Sequence, residues 1–204
     1  MYLLDSPSNT GNYTGDGYSG IFIWGAQLEA GAFATSYIAT TAATVTRNAD
    51  AASMTGSNFT SWFNNAEGTI YVEGSHSDDS STFPRFYTFS DGTTSNTLQL
   101  LTLQSSNTLY GEVATANVQQ VTFAINTAYT GQLGKVTLSY KVNDFASCFN
   151  QGSVLTDATG TVPVLTVMQL GASAVNTSTL NGTIKKLAYY PLRVTNAQLQ
   201  ALNS

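Results

Sequence analysis

Residues 135–143 read KVTLSYKVN, and how they are read decides the fold. Side chains alternate with a period of two along an extended chain. Val136, Leu138, Tyr140 and Val142 therefore share one face, and Lys135, Thr137, Ser139 and Lys141 share the other. One face calls for a core and the other tolerates water, as in a strand of a sheet covered on one side. Neighbouring segments repeat the theme. Downstream, FASCF (145–149) leads into NQGS, a hairpin-type turn expected to place Gly152 at the position of unusual backbone conformation. VLTVMQLG (164–171) and GTIKKLAYYP (182–191) follow. Upstream lie GTIYVEG (68–74), FPRFYTF (83–89), TLQLLTLQ (97–104), TLYGEVAT (108–115) and QVTFAIN (120–126), separated by turn residues such as SDGTTSN (90–96). Short strands at roughly 10–15-residue spacing with few helices predict an all-β antiparallel sandwich or jelly roll. One short C-terminal helix is expected after Thr195, a natural N-cap, with Gln198 three residues on to complete a capping box. It is barely two turns long, so packing by residues such as Leu199 must hold it.

Composition narrows the function classes. Of 204 residues, 42% are hydrophobic and only 9% are charged, against about 25% charged in an average soluble domain. Ser, Thr, Asn, Gln and Gly must carry the solubility, a balance common in secreted and virion-surface β proteins. The net charge is −5, the wrong sign for a nucleic-acid binder. The one adjacent basic pair is Lys185–Lys186, and simple alternation would send its members to opposite faces. The single cysteine, Cys148, excludes an internal disulfide and reads as a small buried hydrophobe. No apolar run reaches the roughly 18–20 residues of a membrane span, and MYLLDSPSN lacks the character of a signal peptide.

The first fifty residues look different. DSPSNTGNYTGDGYSG (5–20) is loop material, GIFIW (20–24) reads as a strand, and 35–46 is mostly Thr, Ala and Ser. Residues 1–40 are read as the closing strand of an upstream β module, 41–54 as a linker, and 55–204 as the main domain. The apolar Ile21, Phe22, Ile23 and Trp24 would be a liability on a lone chain, so a covering surface is expected.

Three stretches carry a resemblance. They are WGAQLEAGAFATSYI with VTRNAD (24–50), NFTSWFNNAEGTIYVEG with SDGTTSNTLQL (58–100), and LNGTIKKLAYYPLRVTNAQLQAL (180–202). Together they resemble tail-fibre and other tail-associated structural proteins of tailed bacteriophages that end in a concanavalin A-like (laminin-G-like) lectin/glucanase domain. Where related sequences often have Pro after TSYI, this one has Ala39, which implies a less stiff tether. The resemblance implies a virion location in the phage tail, a homotrimer, other tail proteins as partners through the N-terminal side, and a host surface glycan as ligand. A capsule depolymerase on the same fold, or a purely structural virion module, are the alternatives it leaves open.

Glycoside cleavage needs two carboxylates facing one sugar. Concanavalin-like glucanases carry them as E-x-D-x-E on one strand, and no such run exists here. Only a pair from distant strands, such as Glu73 with Glu112, would serve, so no catalytic residue is assigned. His76, the only histidine, reads as a solvated loop residue. For sugar binding, Tyr87, Tyr110 and Tyr129 offer aromatic faces, and Asp91, Asn96, Asn107 and Asn150 offer polar groups. Calcium is the one metal whose oxygen ligands the loops supply, through Asp78, Asp79 and Asp91. No other cofactor is expected. Trp62 is expected to plug the core or an edge near the domain start.

Overall fold

The structure, a computed structural model, describes residues 17–18, 22–29, 36–46, 52–76, 83–129 and 131–204. The chain forms two compact units, residues 1–49 and 50–204. In the first unit, 22–29 and 36–46 carry no helix or strand. The strand expected at GIFIW is thus not formed over its described residues 22–24; Ile21 lies outside them. Phe22, Ile23, Trp24 and Leu28 are exposed. Trp24 meets Tyr37 edge-on at 5.8 Å, and the Ile38 amide donates to Gln27 Oε1 at 2.8 Å.

The second unit is a two-sheet antiparallel sandwich. Its front sheet runs in the order β1 (Ala52–Thr55), β10 (Val167–Leu170), β3 (Arg85–Ser90), β4 (Thr97–Leu103), β5 (Thr108–Thr115) and β6 (Val118–Asn126). Its back sheet runs β11 (Gly182–Tyr190), β2 (Glu67–His76), β7 (Gly134–Lys141), β8 (Phe145–Phe149) and β9 (Leu155–Asp157). Two short helices, α1 (Ser57–Thr60) and α2 (Asn196–Leu202), complete it. The jelly-roll sandwich with a C-terminal helix is the architecture expected from the strand pattern.

Between the sheets, Tyr87, Phe89, Leu98, Leu100 and Val113 face Ile70, Val72, Val136, Leu138, Tyr140 and Phe145. Phe63, just after α1, plugs one end. Its ring stacks on Phe59, Phe89, Tyr140 and Tyr189 at 4.6–5.8 Å and meets Trp62 edge-on. Trp62, half-buried as expected, donates its indole N–H to the Asn58 carbonyl at 2.7 Å. The Tyr140 hydroxyl donates to the Asn64 carbonyl at 2.6 Å, and a Cβ on Gly68 would lie 2.6 Å from that hydroxyl. Only glycine fits there.

The alternation in 135–141 is realised, with one addition. The outward Thr137 and Ser139 are also buried: the end of α2 lies over Thr137, and Ser139 meets Thr69 Oγ1 at 2.8 Å beneath the chain at Leu192–Val194. Leu199 packs on Ala146 and Cys148, and Asn203 Nδ2 donates to Thr137 Oγ1 at 2.9 Å. The Thr195–Gln198 capping box is formed. Cys148 is buried as expected. Val142 lies past the strand and is exposed.

Five expectations are corrected. Ala52–Met54, placed in the linker, belong to β1, which pairs with β10. Its side chains are mostly exposed, so no apolar alternation announced it. Gly152 does not hold the unusual backbone. Asn150 (φ 43°) and Gln151 (φ 62°) do, in a two-residue turn closed by the Gly152 N–H donating to the Phe149 carbonyl at 2.7 Å. His76 is not a solvated loop residue; it is 5% exposed at the end of β2, against Tyr129 and Phe86. Lys185 and Lys186 do not diverge, because a β-bulge between Ile184 and Lys186 breaks the alternation. Lys185 pairs with Glu73 at 2.7 Å and Lys186 sits over the Tyr71 ring, both on the outer face of the back sheet. Finally, Glu73 and Glu112 alternate with core residues of different sheets and point from opposite outer faces, so they form no carboxylate pair.

Candidate functional site

Strand pairing alone builds one open polar row. In register, Gln169 on β10, Thr88 on β3, Gln99 on β4, Glu112 on β5 and Thr122 on β6 stand side by side on the outer face of the front sheet. The next row along the strands holds Arg85, Leu101, Tyr110 and Ala124. Each lies between core-facing neighbours, so the pleat turns it outward.

Part of this face is walled in. After β10 the chain turns at Gly171 (φ 66°) and folds back over β10 and β3. Thr88 Oγ1 donates to the Ala172 carbonyl at 2.9 Å, and Gln169 Nε2 donates to the Ala174 carbonyl at 2.8 Å. The wall braces itself through the Ser173 and Thr177 hydroxyls, 2.9 Å apart.

Beside the wall lies a chain of three long polar side chains. Arg85 Nε donates to Gln99 Oε1 at 3.1 Å, and Gln99 Nε2 donates to Glu112 Oε2 at 3.0 Å. Arg85 Nη1 is held by the Phe83 carbonyl at 2.9 Å. All three are half-buried. Burial lowers the Arg85 pKa, with Glu112 opposing. Burial pushes the Glu112 carboxyl upward, against the Gln99 hydrogen bond and the Arg85 charge. The guanidinium keeps Nη2 without a partner among the described residues, and the carboxylate keeps Oε1. The row thus offers a charged donor at one end and an acceptor at the other, about 10 Å apart at the strand spacing of about 4.8 Å.

A raised carboxyl pKa has a signed consequence. Glu112 binds its proton more tightly folded than unfolded, so its contribution to stability is fully present below the unfolded pKa and is lost as pH rises through the folded one. Glu112→Gln removes that penalty and keeps an oxygen for Gln99. At neutral pH the variant is expected to melt about 2–4 °C higher, the shift about 1 kcal/mol makes in a domain this size. At pH 3 the gain should vanish. Equal gains at both values would show that the charge is not the cause.

The residues singled out from sequence scatter. Tyr87 and Tyr129 are fully buried, one within the front sheet's inner layer and one against His76, and present no ring to a ligand. Asp91 and Asn96 serve a turn. Asp91 Oδ1 accepts from the Thr93 amide and hydroxyl, Asp91 Oδ2 accepts from Asn96 Nδ2 at 2.7 Å, and Asn96 Oδ1 accepts from the Ala116 amide. Asn107 (φ 48°) turns the chain between β4 and β5, and its carbonyl accepts from the Tyr129 amide. Asn150 Oδ1 accepts from the Lys135 amide at 2.8 Å. Only Tyr110, half-buried beside Glu112, lies on the polar face. Asp78 and Asp79 lie outside the described residues. With both Asp91 oxygens committed to the turn, the third expected calcium ligand is occupied, and no metal-type group of His, Cys, Asp and Glu gathers among the described residues.

No protein-family model and no curated protein sequence matches the chain. Solved structures do. The CBM40 of Ruminococcus gnavus IT-sialidase gives a TM-score of 0.57 at 13% identity, with 69% of this chain covering 84% of that one. The same module bound to alpha2,6 sialyllactose gives 0.55 at 15% identity, over 69% and 85%. The K499G mutant of NanB sialidase from Streptococcus pneumoniae gives 0.58 at 12% identity, with 73% of this chain spanning 26% of that one. The likeness is one of fold: the chain has the two-sheet jelly-roll architecture of these carbohydrate-binding modules.

Proposed function

We propose that this chain is a carbohydrate-recognition module, carried on the virion as the receptor-binding part of a bacteriophage tail fibre. The observation that carries the first half is the Arg85–Gln99–Glu112 row on an open, walled sheet face. Sugars are recognised by fixed donors and acceptors beside apolar surface, and this face supplies both. The unpartnered Nη2 of Arg85 favours a ligand with a carboxylate, because a charged N–H donor to a carboxylate oxygen is among the stronger hydrogen bonds. An acidic host-surface glycan is the class that fits, and fold neighbours include a module whose name records bound sialyllactose. The phage role rests on the sequence resemblance. The homotrimer rests on it too, together with the exposed Phe22, Ile23, Trp24 and Leu28, which chain association would cover. A depolymerase reading gains nothing, since Glu112 has no carboxylate partner on its face among the described residues.

The test applies the purified chain to arrayed acidic and neutral glycans and to adsorption of the phage to its host. Binding to acidic glycans, and blocked adsorption relieved by the bound glycan, are expected. Binding to no glycan ends the carbohydrate reading. Glycan binding without any block of adsorption ends the receptor role. A monodisperse monomer in light scattering ends the trimer.

A further inference from the structure

The polar row does not end in polar surroundings. One step along the strands from Arg85, pairing continues past the end of β3: the Thr102 amide donates to the Pro84 carbonyl at 3.0 Å. With Arg85 opposite Leu101, this register sets Pro84 opposite Thr102 and Phe83 opposite Leu103, whose own partner is Thr108. The alternation is visible in burial. Pro84 is buried while Phe83 is 40% exposed. Phe83 therefore shares the outer face with Arg85. Half-buried Leu103 and Tyr110 lie there as well, over a buried Leu101. An apolar strip runs directly on from the polar row.

Phe83 is tied to that row by its backbone, since its carbonyl holds Arg85 Nη1. The residue that fixes the guanidinium also sets a large ring at the margin of the site. A single exposed Phe is ordinary by itself; here it adjoins a fixed polar row, and apolar surface beside a few placed polar groups is the make-up of a ligand site. A pyranose has two chemically different sides, and its C–H side lies well on an aromatic ring. We propose that Phe83 forms a second sugar subsite: the polar row holds a terminal acidic sugar, and Phe83 carries the next sugar of the chain. The inference rests on the carbohydrate reading of the front face. It makes the ligand an oligosaccharide, with its length running from Glu112 past Arg85 to Phe83.

The test compares free N-acetylneuraminic acid with alpha2,3 and alpha2,6 sialyllactose and with longer sialylated oligosaccharides, by titration calorimetry and on an array. Phe83→Ala is expected to weaken oligosaccharide binding about tenfold, the ratio that 1.4 kcal/mol makes. The free acidic sugar should bind unchanged, and Phe83→Trp should restore the oligosaccharide. Equal loss for both ligand lengths would assign Phe83 to holding Arg85 and overturn the subsite. No change for any ligand would overturn it too. If the unaltered chain binds no sugar of either length, the carbohydrate reading fails, and the subsite with it. Thermal melting of each variant separates these outcomes from misfolding.

Discussion

Phe63→Ala is expected to cost about 3–5 kcal/mol, the range for deleting a buried aromatic side chain. The value should fall at the upper end, because five aromatic rings lose a neighbour together: Phe59, Trp62, Phe89, Tyr140 and Tyr189. These rings come from α1 and its exit, from the front sheet, and from two strands of the back sheet. The hole left behind would touch both sheets, with little chance to collapse. Urea unfolding followed by Trp62 fluorescence would read the loss, and the melting temperature should fall by on the order of 10 °C. Phe83→Ala, on the open face, is the control and should change stability by less than about 0.5 kcal/mol. A loss under about 1 kcal/mol for Phe63→Ala would mean that residues 57–66 are not part of the core.

Arg85→Ala is expected to weaken acidic-glycan binding by about 10- to 100-fold. A hydrogen bond between charged groups contributes about 1.5–3 kcal/mol, on the order of 10- to 100-fold in affinity, and Nη2 has one such bond to offer. The effect compounds within the row. Without Arg85, Gln99 Oε1 loses its donor and is free to turn, and Glu112 loses the charge that opposes its raised pKa. Arg85→Lys should recover little, since an ammonium keeps the charge but not the planar fork. Binding by the alanine variant within twofold of the unaltered chain would remove the front face from consideration. Melting curves of both variants would report whether any loss reflects unfolding.

The fold was legible where strands alternate in apolarity and end at turn residues. KVTLSYK, TLYGEVAT and FASCF were found almost to the residue, because each has one apolar face and clear punctuation. β1 and β9 were not, since they are three or four residues long and contain no buried residue, so pairing alone defines them. The bulge at Lys185 is a matter of register and left no mark on composition. The site was less legible. Arg85, Gln99 and Glu112 are each the one long polar side chain in their strand. What joins them is the register of three consecutive strands. The available signal was the recurrence of one long polar side chain per strand at an outward position. The chosen tyrosines and asparagines fit a general recipe for sugar binding instead. Tyr87 and Tyr129 became core, and the asparagines became turns, which are the commoner uses of those residues.

The bulge in β11 has a consequence for life in a crowd. β11 is the last strand of its sheet, and no strand among the described residues pairs with its other side. Nine residues of open ladder would be a template for strand addition by any neighbouring chain. The bulge breaks that ladder between Gly182–Ile184 and Lys186–Tyr190, so an incoming strand meets no continuous nine-residue register. The two lysines it brings to one face add charge where an incoming strand would have to dry its surroundings. Edge-to-edge pairing of β11 with a neighbouring chain is thus discouraged by the strand's own register and charge.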